Sequence, residues 1–506
     1  MRGTLMMVRT VFCACLVAGG PLVVSADAVP SAVVTVLPER GLGPVKPMNA
    51  VNNGPRVTPP GGGQLRENFP EYRAARIPYA RFHDSVNSVC DQARAVDVNV
   101  VFPDFAADEN DPKNYDFVLT DHLLDTLVRA GTRVFYRLGQ TIEHGPKKYG
   151  VLPPKDPAKW ARICEHIVRH YNEGWGWGSD TAATTANVAW SNQFDVTYWE
   201  VWNEPDLDAW NPKDAPSANP KCWGGTAGEF YRFFATAARH LKGKFPGIKV
   251  GGPAVAGSLD FMEGFLAHCR TNAVPLDFFS WHHYGTEADS FVEKGSRIRA
   301  LLDKYGFERT ESVLDEWNYV AGWNANWMHS IEVEAGRFNQ KCAAFVASTM
   351  IACQRAPVDM LMFYDAQPGN PMNALFDVLT LRPQKAYYPF YAWSKLCDRG
   401  DAFACRVAGS KELDGQIDAV AAFLQEGSAR STAILISRYC RDANVMATAD
   451  VGISLPNADW TTARCHLTDS ARTHTEVPLE VGVDGVAHLR MEPNSVALIE
   501  ISNLRE

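Results

Sequence analysis

Several marks of common chemistries are missing from this chain. Of twelve cysteines, Cys13 and Cys15 lie in the N-terminal apolar run, and the rest are scattered from Cys90 to Cys465 with no close pair of zinc-ligand spacing. No G-x-S-x-G elbow, no phosphate loop and no HExxH helix occurs. His166 and His170 stand four apart in "PAKWARICEHIVRHY", but they lie off its apolar stripe and have no third ligand, so a solvated face is expected. "DENDPKNYD" has calcium-loop composition but places Pro112 and Lys113 where that loop needs a ligand and a glycine. No metal and no cofactor is therefore expected. Positive charge is also in deficit: 49 Lys and Arg face 58 Asp and Glu, a net −9, which argues against nucleic acid or an anionic membrane surface as partner. Past the N-terminus no apolar run approaches the ~20 residues that span a bilayer.

What is present divides into four stretches. Arg2 and Arg9 precede "VFCACLVAGGPLVVSADA", the charged, apolar and small-residue succession of an export signal over residues 1–26, so a secreted or periplasmic protein is expected. Residues 27–75, rich in Pro, Gly and Asn, read as an extended lead-in able to lend a strand to a later sheet. Over residues 76–398 apolar runs recur: "IPYARFH", "VNVVF", "RVFYRLG", "VTYWEVW", "IKVGGPAV", "LDFFSWHHY", "SVLDEW" and "DMLMFYD". Helical patterns lie between most of them, among them "DHLLDTLVRAG", which ends on Gly131. Eight strands alternating with helices predict an α/β fold, a (β/α)8 TIM barrel. A doubly wound sheet would want a Gly-rich turn after its first strand, where this chain has "ARFHDSVNS". From 399 to 506 short strand-like pieces without a long helix predict a β-sandwich.

The stretch "YWEVWNEPDLDAW" sets Asn203, Glu204 and Pro205 among three tryptophans and a tyrosine. A carboxylate at an apolar strand end is costly unless it faces a polar cleft. Glu316 in "SVLDEWNYV" repeats the arrangement. Following the fourth and seventh strands, both point to the C-terminal face, where barrel chemistry sits. Two carboxyls in one cleft, with aromatic faces beside them, suit glycoside hydrolysis.

Asn-Glu-Pro and Glu-Trp occur in a series with "MNAVNNGP", "ARFHD", "FFSWHHY" and "RPQKAYYPFYAWSKL". In that order they resemble glycoside hydrolase family 39, retaining (β/α)8 enzymes known as β-xylosidases and α-L-iduronidases; the likeness covers about residues 45–505. The resemblance implies Glu204 as acid/base, Glu316 as nucleophile and Asn203 as the partner of the sugar 2-hydroxyl. It further implies that Tyr284 holds the nucleophile, and that Arg81, His83 and His282 bind hydroxyls and carboxylates. Departures fall in the sugar pocket. Gly139-Gln140-Thr141 stands where the xylosidases carry an aromatic, and Tyr364-Asp365 where a tryptophan segment is usual. Gln140, Glu143, His144 and Asp365 are candidates to read further hydroxyls, and Trp317 to offer a ring face. Only Lys147 and Lys148 lie near to pair a substrate carboxylate, which favours a neutral sugar over iduronic acid. The expected protein is a secreted retaining glycosidase, β-xylosidase-like with an altered pocket, acting on a carbohydrate. The other reading is a catalytically silent carbohydrate-binding protein on the same scaffold.

Overall fold

The computed structural model describes residues 29–56, 67–83, 92–177, 194–209, 216–426 and 429–503. The stretch 1–26, read from sequence as an export signal, lies outside them. Eight parallel strands close into a barrel: β1 (Ala50–Asn52), β2 (Tyr79–Arg81), β3 (Arg133–Leu138), β4 (Tyr198–Val201), β5 (Lys249–Val255), β6 (Phe278–Gly285), β7 (Glu311–Tyr319) and β8 (Met360–Phe363). The β1–β8 ladder shuts it.

Two elements differ from the sequence expectation. "VNVVF" holds a short helix, Val98–Val101, with Asp97 at its N-cap position. The first strand is instead Ala50–Asn52, inside the stretch read as lead-in, so the barrel begins before residue 76. The two differences offset, so Glu204 still follows the fourth strand.

The period of two along the strands layers the barrel interior. A floor of Ala50, Tyr79, Phe135, Tyr198, Phe278, Val313, Met360 and Met362 packs together. Two residues further along the same strands come Asn52, Arg81, Arg137, Glu200, Ser280 and Asp315, all buried. One register step thus converts an apolar plug into a polar tier facing the C-terminal mouth.

Helices between strands carry legible end signals. Pro157–Glu173 starts on Asp156, whose carboxylate accepts from the N–H groups of Ala158 and Lys159, and stops at left-handed Gly174. Ala227–Lys244 opens with a reciprocal capping box of Thr226 and Glu229. His166 and His170 are not on a solvated face. His170 is buried, stacked on Phe117 at 3.5 Å between ring centres, and bonded to Asp121 at 3.0 Å. The aromatic residues packed over this helix, Trp175 and Trp177 among them, cover both imidazoles.

The remaining strands form one ten-stranded sheet. Its edge strands, Thr475–Val477 and Glu480–Val481, are consecutive in the chain, so the sheet curls until its edges approach and the predicted sandwich is one curled sheet. Val34, Ile434, Ile436, Val451, Leu467 and Ile499 fill its interior. Alternate residues of the same strands, Val420, Leu435, Val496 and Leu498, face outward into the barrel core. The strand Ser31–Pro44 lies mid-sheet, antiparallel to Asp401–Gly409 and parallel to Ala449–Ser454. The nine described cysteines are free thiols, seven of them buried. Among the described residues no helix is long and apolar enough to cross a membrane.

Candidate active site

β4 ends at Val201, and the chain then turns sharply. Trp202 (φ 80°) and Glu204 (φ 46°) both take left-handed backbone, a strained choice for side-chain-bearing residues. The strain is held by packing. The Trp202 indole donates to Cys222 O at 2.8 Å and packs against Trp223 and Phe233, and the Glu204 N–H donates to Ala254 O at 3.0 Å.

β7 reaches the same place by another device. Trp281 pairs with Leu314 but His282 pairs with Glu316, leaving Asp315 as an extra residue in a bulge. The bulge lets two consecutive carboxylates, Asp315 and Glu316, face inward to Arg81. Trp317 then points outward, packed on Phe291, Phe345 and Phe363 between barrel and helices. It does not join the site.

Ligand-type atoms of Glu204, His282 and Glu316 all lie within 4.8 Å of one another. His282 Nδ1 is 2.8 Å from Glu204 Oε1 and 3.4 Å from Glu316 Oε2. Burial disfavours charge on this imidazole, but Glu316, Asp315 and Glu204 outweigh it and raise its pKa well above the ordinary value. Nowhere else among the described residues do three candidate metal ligands converge. The imidazole thus bridges the two carboxylates as a hydrogen-bond donor.

Glu316 accepts from Tyr284 Oη at 2.9 Å and from Arg81 Nη1 at 2.9 Å. Burial, with Glu204 and Asp315 adding, raises its pKa against the pull of His282 and Arg81. Burial and the Glu316 charge raise Tyr284 well above its usual value, so it stays a neutral donor. Arg81 is fully buried and also donates to Asn203 Oδ1 at 2.5 Å. That contact consumes the Asn203 acceptor and leaves its buried Nδ2 with no protein partner, a free donor beside the carboxylate pair.

His83 is buried with both ring nitrogens unpartnered. Burial, then Arg81 and Arg137, lowers its pKa well below normal and keeps it neutral, able to donate and accept. The His83 backbone N–H donates to Asn53 Oδ1 at 3.3 Å, and Asn53 Nδ2 donates to Asp365 at 2.8 Å, so Asp365 joins this polar wall through Asn53. Gln140 does not. Its Nε2 donates to Asp97 at 3.0 Å, and Asp97 also accepts from Arg137 and Thr141, so Gln140 braces the loop after β3. Glu143 likewise accepts from the Tyr149 and Gly150 N–H groups of its own loop.

Sequence reasoning missed Asn52, Asn53, Glu200 and Asp315. Arg81 Nε donates to Glu200 at 2.6 Å and lies 3.1 Å from Asp315. The signal was available for Glu200, a carboxylate between Trp199 and Val201, as costly there as Glu204.

The family model for glycosyl hydrolases family 39 matches residues 90–357. The chain belongs to this family. A beta-xylosidase of Caldicellulosiruptor saccharolyticus is 24% identical over 340 residues, 63% of this chain and 62% of that enzyme, so the match spans less than two thirds of the relative's length. A beta-xylosidase of Geobacillus stearothermophilus is 23% identical over 448 residues, 78% of this chain and 81% of that one. In fold, this family 39 chain is similar to a glucosidase from Croceicoccus marinus (TM-score 0.70, 22% identity, 95% of this chain and 100% of that one). It is also similar to a monomeric beta-xylosidase from Caulobacter crescentus (TM-score 0.62, 16% identity, 94% and 100%).

Proposed function

We propose that the protein is an exported retaining β-glycosidase, β-xylosidase-like, acting on a neutral pyranoside. The observation that carries this is the convergence of Glu204 and Glu316 on His282, an oxygen of each carboxylate lying within 4.8 Å of the other, which leaves no room for a water-wide gap. Retaining enzymes hold their carboxyls about 5–5.5 Å apart, and inverting ones leave about 6.5–9.5 Å for a water.

Glu316, oriented by Tyr284 and Arg81, attacks the anomeric carbon while Glu204 protonates the departing glycosidic oxygen. A glycosyl ester on Glu316 results, and Glu204, now a carboxylate, removes a proton from the water that hydrolyses it. His282 links the two carboxylates and offsets their like charge when both are ionised. Asn203 Nδ2 donates to the 2-hydroxyl as positive charge grows at the anomeric carbon, an interaction worth most in the transition state. His83, with Asn53 and Asp365 behind it, reads further hydroxyls. The pocket differs from the xylosidase pattern after β3 and β8, so the preferred sugar is set apart from xylose by those loops. A silent binding protein has no need of both carboxylates together with their orienting groups.

The test is a panel of aryl β-glycosides with wild type and Glu316→Ala, the variant with and without azide. Turnover of one pyranoside, lost in the variant and restored as an α-glycosyl azide, is the expected result. An α-glycoside substrate, or a first-formed sugar of inverted configuration, would refute it. Export is checked by N-terminal sequencing of the protein from culture fluid or periplasm, with a start after Ala26 or Ala28 expected.

A further inference from the structure

The mouth of the barrel has two unlike sides. Asn53, His83 and Asp365, from the ends of β1, β2 and β8, are buried and polar. Beside them, the loops after β7 and β8 bring Val320, Ile331 and Met372 together as an apolar pad under Tyr284, Trp327 and Tyr364. On that pad stands Trp323, 60% exposed. Its ring meets Tyr284 edge-on at 4.9 Å and Trp327 at 5.4 Å. The turn is pinned by Asn324, which accepts from the Asn326 N–H through its side chain and from the Trp327 N–H through its carbonyl.

A large ring left in water at a fixed angle is costly unless something covers it in use. Tyr284 spans the gap between this ring and the nucleophile, with its hydroxyl on Glu316 and its ring against Trp323. That puts Trp323 about one sugar ring away from the reacting carbon. Resting on the glycosidase reading, we propose that Trp323 is the stacking platform for the ring of the leaving group, a pyranose or an aryl aglycone. The side is set by the division of the mouth. Buried donors and acceptors suit the glycone, whose hydroxyls must be told apart, whereas an exposed aromatic face suits the half that departs into solvent.

The test compares the glycosyl fluoride, the p-nitrophenyl glycoside and the disaccharide of whichever sugar the panel selects. The fluoride has no ring on the leaving side. In Trp323→Ala, kcat/KM for the two ringed substrates should fall roughly three- to tenfold relative to that for the fluoride, carried by KM. Trp323→Phe, which keeps a ring, should recover most of the loss. An equal change on all three substrates would overturn the platform. So would a loss confined to oligosaccharides extended on the glycone side. Calorimetric titration of the disaccharide into Glu316→Gln and Glu316→Gln/Trp323→Ala separates this from catalysis. Weaker binding in the double variant supports the platform even without turnover, and equal or absent binding in both forms rejects it.

Discussion

Arg81 contacts three carboxyls, and two of them, Glu200 and Asp315, are fully buried around it. Burial, with the Asp315 charge adding to it, pushes Glu200 up to about 8. Burial opposes charge on Asp315 too, but Arg81 and His282 hold it below its ordinary value. Near neutrality the pair therefore carries one negative charge, on Asp315. Asp315→Asn takes the neutral place and lets Glu200 ionise; Glu200→Gln leaves Asp315 as it was. Each single variant should keep the acidic limb of the pH–rate profile, which the proposed mechanism assigns to ionisation of Glu316. The double variant removes the charge, leaves more of Arg81 for Glu316, and should move that limb to lower pH. If each single variant shifts the limb about half as far as the double, the pair holds two charges. That Glu204 and Glu316 share one cleft was legible in the sequence because strand ends and tryptophans flank them. Beneath them, Glu200 carried the same signal, but nothing local in the sequence marks that Arg81 and Asp315 face it.

Elements were legible where one period dominates and obscure where it breaks. "VNVVF" is short and apolar, and such a run suits a strand or one helical turn equally. Trp317 was expected in the pocket because it adjoins Glu316, but one extra residue in β7 reverses facing there, and bulges leave no local composition signal. β5 shows the opposite case, glycines whose purpose only packing reveals. A Cβ on Gly251 would lie 2.2 Å from Phe278 O and 2.5 Å from its ring, and one on Gly252, at φ 133°, would lie 2.7 Å from Val201 O. β4 and β6 thus approach β5 as closely as backbone allows, which brings the ends carrying Glu204 and His282 together. Gly251→Ala should cost about 2–3 kcal/mol in urea unfolding. It should also lower kcat, since β4 and β6 must part to admit the methyl. Unchanged stability and kcat would mean the strands shift freely, and the tight approach would not be what sets the site.

Across the whole molecule, the chain's first described strand is structurally late. Ser31–Pro44 inserts between strands near residues 405 and 450, and Val34 and Val36 lie in the curled sheet's interior. The sheet cannot close before the N-terminal segment returns to it, a contact of long sequence separation. The connection onward to β1 is itself bound to the barrel: Gln354 Nε2 donates to Pro44 O at 3.0 Å, Trp393 Nε1 to Lys46 O at 2.9 Å, and Lys46 Nζ to Ala356 O at 2.7 Å. Since Leu435 and Leu498 pack into the barrel core while their neighbours Ile434 and Ile499 fill the sheet, loss of one body strips apolar cover from the other. A chain beginning at residue 29 should then unfold in one cooperative transition, with the two bodies melting together. A chain beginning at residue 45 loses the central strand, orphans ladder groups on both neighbours and opens the sheet's core. That deficit is comparable with the ~5–15 kcal/mol that holds a whole domain folded. The shortened chain should come out insoluble or bind a hydrophobic dye strongly, although every side chain of the candidate site is still encoded. Two separated transitions in the longer chain, or an unchanged urea midpoint in the shorter one, would show that the barrel stands without the sheet.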